Sequence, residues 1–243
     1  MIGVVLVFDV YADMAMFRKP YTTTSLVSFP FPPPTAVAGL IGAIAGFDHG
    51  AARGSWRAGF WRHLSGTQVA LGFKKAPSWM TTAVNMIKFK TSNGNMGEHI
   101  QAKHQLLKKP SYRIYLRGGA VYPELKRRLE RGEFVYTPYL GVAWALADVV
   151  YGGEFAETEV TAENTWVNTV VPLYEGVQVD VLRSGAVHRE LVPYRLDEER
   201  RLKETVNVVY LDFKNKGRLW LKEKGKLLVS QVGEERVAWF GTW

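Results

Sequence analysis

The side chains with the clearest chemical potential are a lysine and a histidine at adjacent positions, Lys103 and His104. A histidine can serve as general acid or base in RNA cleavage, and a lysine can stabilise the charge of a phosphorane. With Tyr21 or Tyr112 nearby, this pair would suit a metal-independent endoribonuclease. Basic clusters that only bind nucleic acid are commoner than ones that cut it, so the residues leave both activities open.

Metal and cofactor chemistry find little support in the sequence. The chain has no cysteine and five histidines, and His99 and His104 are five residues apart with no carboxylate at ligand spacing. The glycine-rich stretch at 39–46 lacks the Gly-Lys-Ser/Thr of a phosphate-binding loop, and Gly39 lies inside a predicted helix, unlike a dinucleotide fingerprint. No metal or cofactor is expected.

The positive charge is confined to the first half of the chain. Residues 1–120 carry 14 Lys and Arg against 4 Asp and Glu, whereas residues 121–243 carry 17 against 19. Clustered cations favour binding to a polyanion because they release its condensed counterions. We therefore expect the surplus cations before Ala120 to converge on one nucleic-acid groove. A basic half that docks onto an acidic protein is the alternative.

Three segments of the first half are candidates for this contact. Residues 17–21 interleave Phe17 and Tyr21 with Arg18 and Lys19, a pattern that suits base stacking and phosphate pairing. The start of a helix after Pro34 and Thr35 presents free N–H groups and a positive dipole end to a phosphate. A long excursion between two strands is rich in lysine and has Glu98 as its one acid; its lysines include Lys88, Lys90, Lys103, Lys108 and Lys109.

These segments must be positioned by the elements that flank them. Apolar runs and alternation predict strands at 2–10, 68–75, 111–117 and 133–137, and proline and glycine positions predict helices at 35–46, with Thr35 as N-cap, and 123–131. Residues 14–28 are predicted to be a loop. This order is that of an α+β, ferredoxin-like (RRM-like) βαββαβ unit, and the thumb-like excursion at about 77–110 lies between its second and third strands.

The second half of the chain has a different pattern of short, alternating segments. Residues 139–151 are predicted to form a small-residue helix that ends at Gly152, and short alternating segments follow, at 159–171, 176–182, 206–213 and 227–232. The charged stretch at 197–204 is expected to be a solvated loop or helix. We therefore divide the chain into residues 1–150 and a small β-rich part at 151–243. No apolar run spans a bilayer and no leader is evident, so a soluble, cytoplasmic protein is expected.

Several of these segments together resemble the CRISPR-associated (Cas) family five. The resemblance rests on the first strand, the proline run of residues 29–34 leading into Gly-Leu-Ile-Gly-Ala-Ile-Ala-Gly at 39–46, His104-Gln105 before residues 110–115, and Tyr139-Leu140-Gly141. It covers residues 1–150 well and the remainder only loosely.

The resemblance implies a subunit of a type I Cascade complex that caps the five-prime handle of the guide RNA. Its partners would be the crRNA, the backbone subunit and the large subunit, with the separate processing endoribonuclease as a further candidate. Target DNA would lie nearby, and no membrane is involved. One branch of the family cuts precursor RNA with a Tyr, Lys and His set, which Tyr21, Lys103 and His104 would match here; we favour the non-catalytic branches. The positions expected to bind RNA are Phe17, Arg18, Lys19, Tyr21, Thr22, Thr23, Thr24, Ser25, Pro34, Thr35, Lys74, Lys75, Lys88, Lys90, Lys103, His104, Gln105, Lys108 and Lys109.

Overall fold

The computed structural model describes residues 3–22, 25–50, 57–87, 99–211 and 217–243. The strands are β1 (Gly3–Tyr11), β2 (Met14–Ala15), β3 (Phe17–Arg18), β4 (Ser25–Leu26), β5 (Ser28–Phe29), β6 (Thr67–Phe73), β7 (Trp79–Ile87), β8 (His99–Lys108), β9 (Ser111–Gly118), β10 (Asp148–Glu159), β11 (Thr165–Val167), β12 (Val171–Pro172), β13 (Gln178–Val179), β14 (Val187–Leu196), β15 (Leu202–Leu211), β16 (Leu219–Glu223), β17 (Val229–Val232) and β18 (Glu235–Ala238). The helices are α1 (Pro34–Ala45), α2 (Phe60–His63), α3 (Tyr122–Arg131) and α4 (Val181–Ser184).

A six-stranded antiparallel sheet forms the centre of the molecule. Its strand order is β18-β17-β10-β1-β9-β6, so the predicted first strand lies in the interior of the sheet. Leu6, Phe8 and Val10 of β1 face the largest core cluster, which includes buried residues of α1 and α3. Val5 and Val7 face the other side. Burial on both faces is why this strand reads as a continuous apolar run.

Two of the three predicted helices, those at 35–46 and 123–131, are present. Helix α1 begins one residue earlier than predicted: Pro33 is the N-cap, Pro34 is the first helical residue, and Thr35 lies inside the helix, so the prediction of Thr35 as N-cap was wrong. Proline suits the first turn because its missing N–H has no partner there. Helix α1 ends at Gly46 (φ 84°) and α3 ends at Gly132 (φ 64°), both in the left-handed conformation.

Two predictions around residue 140 were wrong. Residues 133–137 form no strand; they lie against the end of α1, where the Tyr136 N–H donates to Ala43 O (3.0 Å). Residues 139–151 form no helix; turns lead into β10, which begins at Asp148. Gly152 does not end a helix but lies at a shift of register opposite Val7, where a β-carbon would be 3.0 Å from Val7 O. Pairing with β1 overrides the local helical pattern.

Residues 14–28, predicted to be a loop, contain four two-residue strands. Strand β2 pairs antiparallel with β8, β4 pairs parallel with β8, and β3 pairs with β5. Strands this short leave no periodicity in a sequence. We call residues 14–22 and 25–29 the strap, and the antiparallel pair of β7 and β8 the thumb hairpin.

The C-terminal part is β-rich, as expected. It contains two three-stranded sheets, β11-β16-β13 and β12-β15-β14, while β17 and β18 extend the central sheet. The charged stretch that begins at Asp197 is the turn between β14 and β15, in which the Asp197 carboxylate accepts from the backbone N–H of Glu199 and Arg201. None of the helices in the described ranges is long and apolar enough to cross a bilayer.

Candidate nucleic-acid interface

The lysine-rich excursion is a long β-hairpin. Strands β7 and β8 pair in register from Trp79 opposite Leu107 to Ile87 opposite His99. Near the far end of the pair, Met86, Ile87 and Ile100 are exposed. Lys88 and Lys90, two of the predicted contacts, lie outside the described residues, as do Thr23 and Thr24.

The strap lies along the thumb hairpin and brings two predicted RNA-contacting segments together. Ser25 is paired with Lys103 and Leu26 with His104. The backbone N–H of Ser28 donates to the Gln105 side chain (3.3 Å). Met16, Leu26 and Leu106 form a small buried cluster under this junction. The strap and β8 are therefore one structural unit, although nearly 80 residues separate them in the chain.

The aromatic and cationic side chains of residues 17–21 diverge in the fold. Phe17 is 4% exposed, and its ring meets Tyr112 edge-on in the core. The Lys19 ammonium forms an ion pair with Glu190 (2.5 Å). Tyr21 is 70% exposed, and Arg18 is exposed with a hydrogen bond to Thr22 O (2.8 Å). Tyr21 and Arg18 therefore face solvent, whereas Phe17 cannot stack on a base.

Of the side chains considered for catalysis, Lys103, His104 and Tyr112 do not share an exposed surface. Lys103 and His104 are neighbours on a strand, so their side chains point to opposite faces. His104 is 8% exposed, with Nδ1 3.0 Å from Ala102 O, whereas Lys103 is exposed. Tyr112 is buried and donates to Pro30 O (2.8 Å), and burial raises the pKa of its phenol well above the usual value.

Four lysines meet at the base of the thumb hairpin. Lys74 and Lys75 follow β6, and the Lys74 N–H donates to Ser111 O (3.0 Å). Ser111 begins β9, directly after Lys108 at the end of β8 and Lys109 in the turn. The Lys74 ammonium forms an ion pair with Asp9. Lys75, Lys108 and Lys109 are exposed and have no ion pair with a carboxylate in the described part of the chain. These three lysines form an uncompensated positive surface.

The start of α1 has one free donor. The N–H groups of Ala36 and Val37 both donate to Pro33 O (2.8 and 3.0 Å), and no side chain caps this end. Thr35 is partly exposed, and within the described residues its N–H has no acceptor. The first turn carries no acidic side chain, so its positive end is not neutralised locally.

The expectation that the N-terminal cations form a single groove was too broad. Besides Lys19 and Lys74, three arginines are engaged by carboxylates: Arg62 by Glu198, Arg113 by Asp9 and Glu235, and Arg117 by Glu157. Most of these carboxylates come from the second half of the chain. A formal charge count does not reveal such pairing, because the pairing depends on which strands become neighbours in the fold.

Arg113 and Asp9 form a bidentate ion pair. Two guanidinium nitrogens of Arg113 donate to the two oxygens of Asp9 (2.8 and 3.0 Å). Although burial opposes ionisation, the hydrogen bonds from Arg113 and Lys74 hold the pKa of Asp9 below its usual value. The hydrogen bonds that Arg113 donates to Asp9 in turn raise the pKa of Arg113. These charges hold β1 against β9 and are not free for a ligand.

The sheet face opposite the helices is largely covered by the C-terminal strands. Val232 and Val237 of the β17–β18 hairpin and the adjacent Trp239 pack on Val5, Val7 and Tyr115. The Arg117 guanidinium lies over the Trp239 ring, 4.3 Å from its centre. RNA-recognition domains stack bases on this face, but here little of it is open. The exposed strap, thumb base and α1 start are therefore the better candidate surface.

A family model described as CRISPR-associated protein (Cas_Cas5) matches residues 5–144, which is more than half of the chain. The chain belongs to the Cas5 family. Two solved structures are similar to this Cas5-family chain. A CRISPR protein from Archaeoglobus fulgidus is 15% identical over 100% of both chains, with a TM-score of 0.53. A chain of a CRISPR RNA-guided surveillance complex is 13% identical over 84% of this chain and 88% of its own, with a TM-score of 0.51. Identities this low show the fold alone. No curated protein sequence matches the chain.

Gly141 of this Cas5-family chain has a structural role that its sequence motif, Tyr139-Leu140-Gly141, does not indicate. Gly141 has φ 85°, and a β-carbon there would lie 2.0 Å from Met16 O. Beside it, the Met16 N–H donates to Leu140 O (3.2 Å). Only glycine fits this approach. Gly141 therefore lets the 139–146 loop hold the strap against the thumb hairpin, a role that no local pattern in the sequence could reveal.

Proposed function

We propose that this Cas5-family chain is a non-catalytic subunit of a type I Cascade surveillance complex that binds and caps the five-prime handle of the crRNA. The observation that carries the proposal is the junction of the strap with the thumb hairpin, beside three lysines that no described carboxylate neutralises. Family membership and the shared fold with a chain of a CRISPR RNA-guided surveillance complex support this setting.

We assign a ferredoxin-like unit to residues 1–159, which moves the boundary expected at residue 150 to the end of β10. The elements β1, α1, β6, β9, α3 and β10 follow one another in the required order. Their strands lie in the sheet as fourth, first, third and second, which supports the assignment. Residues 160–243 are then the smaller β-rich part.

The handle would be held through its backbone. Lys75, Lys108 and Lys109 would pair with phosphates, the free N–H of Thr35 would bind a further phosphate, and the exposed Tyr21 would stack on a base. Such contacts recognise the shape of a folded strand, while base pairing by the guide reads the target. The subunit therefore needs no side chains that read base edges.

The absence of catalysis is proposed from the geometry of the candidate set. Lys103 and His104 point to opposite faces of β8, and the His104 ring is buried. A ribonuclease needs its general base within hydrogen-bonding reach of the hydroxyl it deprotonates. Tyr21 is exposed, whereas the His104 ring is buried.

The partners we propose are the other Cascade subunits. The exposed apolar end of the thumb hairpin, with Met86, Ile87 and Ile100, suits packing against the backbone subunit. The large subunit and the target DNA would lie nearby, and the separate processing endoribonuclease is a further candidate. We expect the complex to act in the cytoplasm.

Two adjacent lysines give a sharp test of handle binding. Lys75→Gln should weaken binding of labelled handle RNA and lower the slope of log affinity against log salt by about 0.7, the value for one phosphate contact on a single strand. Lys74→Gln is the matched control, because Asp9 already neutralises Lys74. Fluorescence anisotropy at several KCl concentrations measures both. Equal effects of the two variants would contradict the assignment of the surface.

Two further measurements separate the rival functions. If wild-type protein binds handle RNA and scrambled RNA equally weakly, the basic half serves an acidic protein partner instead. Incubation with labelled precursor RNA in EDTA tests for metal-independent cleavage. Site-specific cutting that is lost in His104→Ala would show that the chain is an endoribonuclease.

A further inference from the structure

The small sheet of β11, β16 and β13 has an unusual outer face. Strand β16 alternates: Leu219 and Leu221 are buried in the second core cluster, so Arg218, Trp220 and Lys222 lie on the opposite face. Trp220 is the direct cross-strand partner of Trp166 on β11. The two indoles therefore stand side by side between cations.

Arginines are stacked on both indoles. The Arg183 guanidinium lies 3.5 Å from the centre of the Trp220 ring. Arg218 and Arg236 lie 4.3 and 4.7 Å from the centre of the Trp166 ring. Stacking on an aromatic ring fixes the plane of a guanidinium and leaves N–H groups at its edge to bind an anion.

These cations lack acidic partners, unlike the arginines on the central sheet. In the described part of the chain, Arg183, Arg218, Lys222 and Arg236 form no ion pair. Arg183 donates to Asn164 (3.3 Å), and Arg236 donates to Thr165 (2.7 Å) and Gln231 (3.2 Å).

Three acids beside this face are already hydrogen-bonded. The Asp180 carboxylate, which is largely buried, accepts the backbone N–H of Arg183 (3.1 Å) and forms no ion pair with its guanidinium. The Glu163 carboxylate accepts the backbone N–H groups of Lys224 and Gly225, and the Glu223 carboxylate accepts from the Gln178 side chain. A solvated protein surface normally mixes both signs of charge. Four cations around two tryptophans, none of them in an ion pair within the described residues, point to a ligand that is both anionic and aromatic.

We propose that this surface, the Arg–Trp face (Trp166, Arg183, Arg218, Trp220, Lys222 and Arg236), binds a single-stranded nucleic acid. The guanidinium edges match phosphate oxygens, and the stacked planes of arginine and tryptophan accept unpaired bases. Arg218 and Lys222 are spaced along an extended strand, so they reach successive positions of an extended ligand. The face is formed by β11, β16, α4 and β18, none of which pairs with the strap or the thumb hairpin. We therefore treat it as a second site, distinct from the proposed handle surface.

The test uses the full chain and the double variant Arg218→Gln/Lys222→Gln. Both side chains are exposed, so the fold should be retained, as a circular dichroism melt would verify. Labelled 12-nucleotide oligouridylate and oligodeoxythymidylate are titrated at several salt concentrations. We expect about tenfold weaker binding and a salt slope lower by about 1.4, which corresponds to two phosphate contacts on a single strand. Whichever oligonucleotide binds more tightly identifies RNA or DNA as the ligand.

The control is Arg131→Gln/Arg189→Gln, which removes two exposed arginines elsewhere that also lack an ion pair in the described residues. It should bind like the wild type. Ultraviolet cross-linking of the bound oligonucleotide should label peptides that contain Trp166 or Trp220. Unchanged affinity of the double variant, or cross-links confined to residues 1–120, would overturn the proposal. Competition by poly-L-glutamate as strong as that by the oligonucleotide would instead indicate an acidic protein partner.

Discussion

Gly141 should be the glycine on which the position of the strap depends. It has φ 85°, and an added β-carbon would lie 2.0 Å from Met16 O and 2.9 Å from the Phe17 ring. The variant Gly141→Ala therefore meets two costs, a left-handed backbone and a clash with the strap. Gly132 offers a matched control: it has φ 64° at the end of α3, and a β-carbon there has nothing within 4 Å.

The magnitudes follow from these two environments. A left-handed conformation costs a non-glycine residue about 1–2 kcal/mol, and the lost freedom of the unfolded chain returns about 0.4–1 kcal/mol. Gly132→Ala should therefore lower the free energy of unfolding by about 1 kcal/mol. Gly141→Ala should lower the free energy of unfolding by a further amount of about 1–3 kcal/mol, because a backbone oxygen must be displaced.

Thermal melts followed by circular dichroism should separate the two variants. In a chain of this size each kcal/mol shifts Tm by about 2–4 °C, so Gly141→Ala should melt about 2–12 °C below Gly132→Ala. The displaced strap should also weaken binding of handle RNA, whereas Gly132→Ala should bind like the wild type. Equal melting temperatures and equal RNA affinities would refute the idea that the 139–146 loop holds the strap.

Three further outcomes follow from single residues. Lys109 has φ 46°, so Lys109→Gly should be about 0.5–1 kcal/mol more stable than Lys109→Ala in urea unfolding. Both variants lose the same RNA contact. Greater stability of the alanine variant would contradict the argument that a side chain at this position strains the backbone. Tyr21→Ala should weaken handle binding about tenfold, the value of one stacked base, with an unchanged Tm; unchanged affinity would remove Tyr21 from the site. Asp9→Asn should lower the unfolding free energy by about 2–3 kcal/mol because it leaves the Arg113 charge without its bidentate partner. Since the pKa of Asp9 is lowered in the fold, its contribution is fully present above the unfolded value of about 3.9 and is lost as the pH falls through the lower folded value. The difference between Asp9→Asn and wild type should therefore shrink below about pH 4, and a constant difference down to pH 2 would contradict this.

Several of the main strands and helices could be predicted from local patterns in the sequence. The interior strand β1 was visible because both of its faces are buried, which produces an unbroken apolar run. Helix α3 could be predicted because Pro123 lies in its first turn and Gly132 follows its last residue. Helix α1 could be predicted because a proline run precedes it and Gly46 follows it. The long excursion was visible as a lysine-rich insertion between two alternating segments. Each of these features depends on residues close together in the chain.

Other features required the tertiary structure. The same Gly152-Gly153 pair that suggests a helix end occupies a shift in the pairing of β10 with β1. Whether Phe17 and His104 are exposed depends on how the strap packs on β8.

The charge pattern shows the same division most clearly. Composition alone determined that the first half carries the surplus of cations. Only the fold decided that Glu157, Glu190, Glu198 and Glu235 from the second half neutralise many of them, leaving Lys75, Lys108 and Lys109 exposed. Ion pairs form between side chains that are neighbours in space, and spacing along the chain does not encode which strands become neighbours.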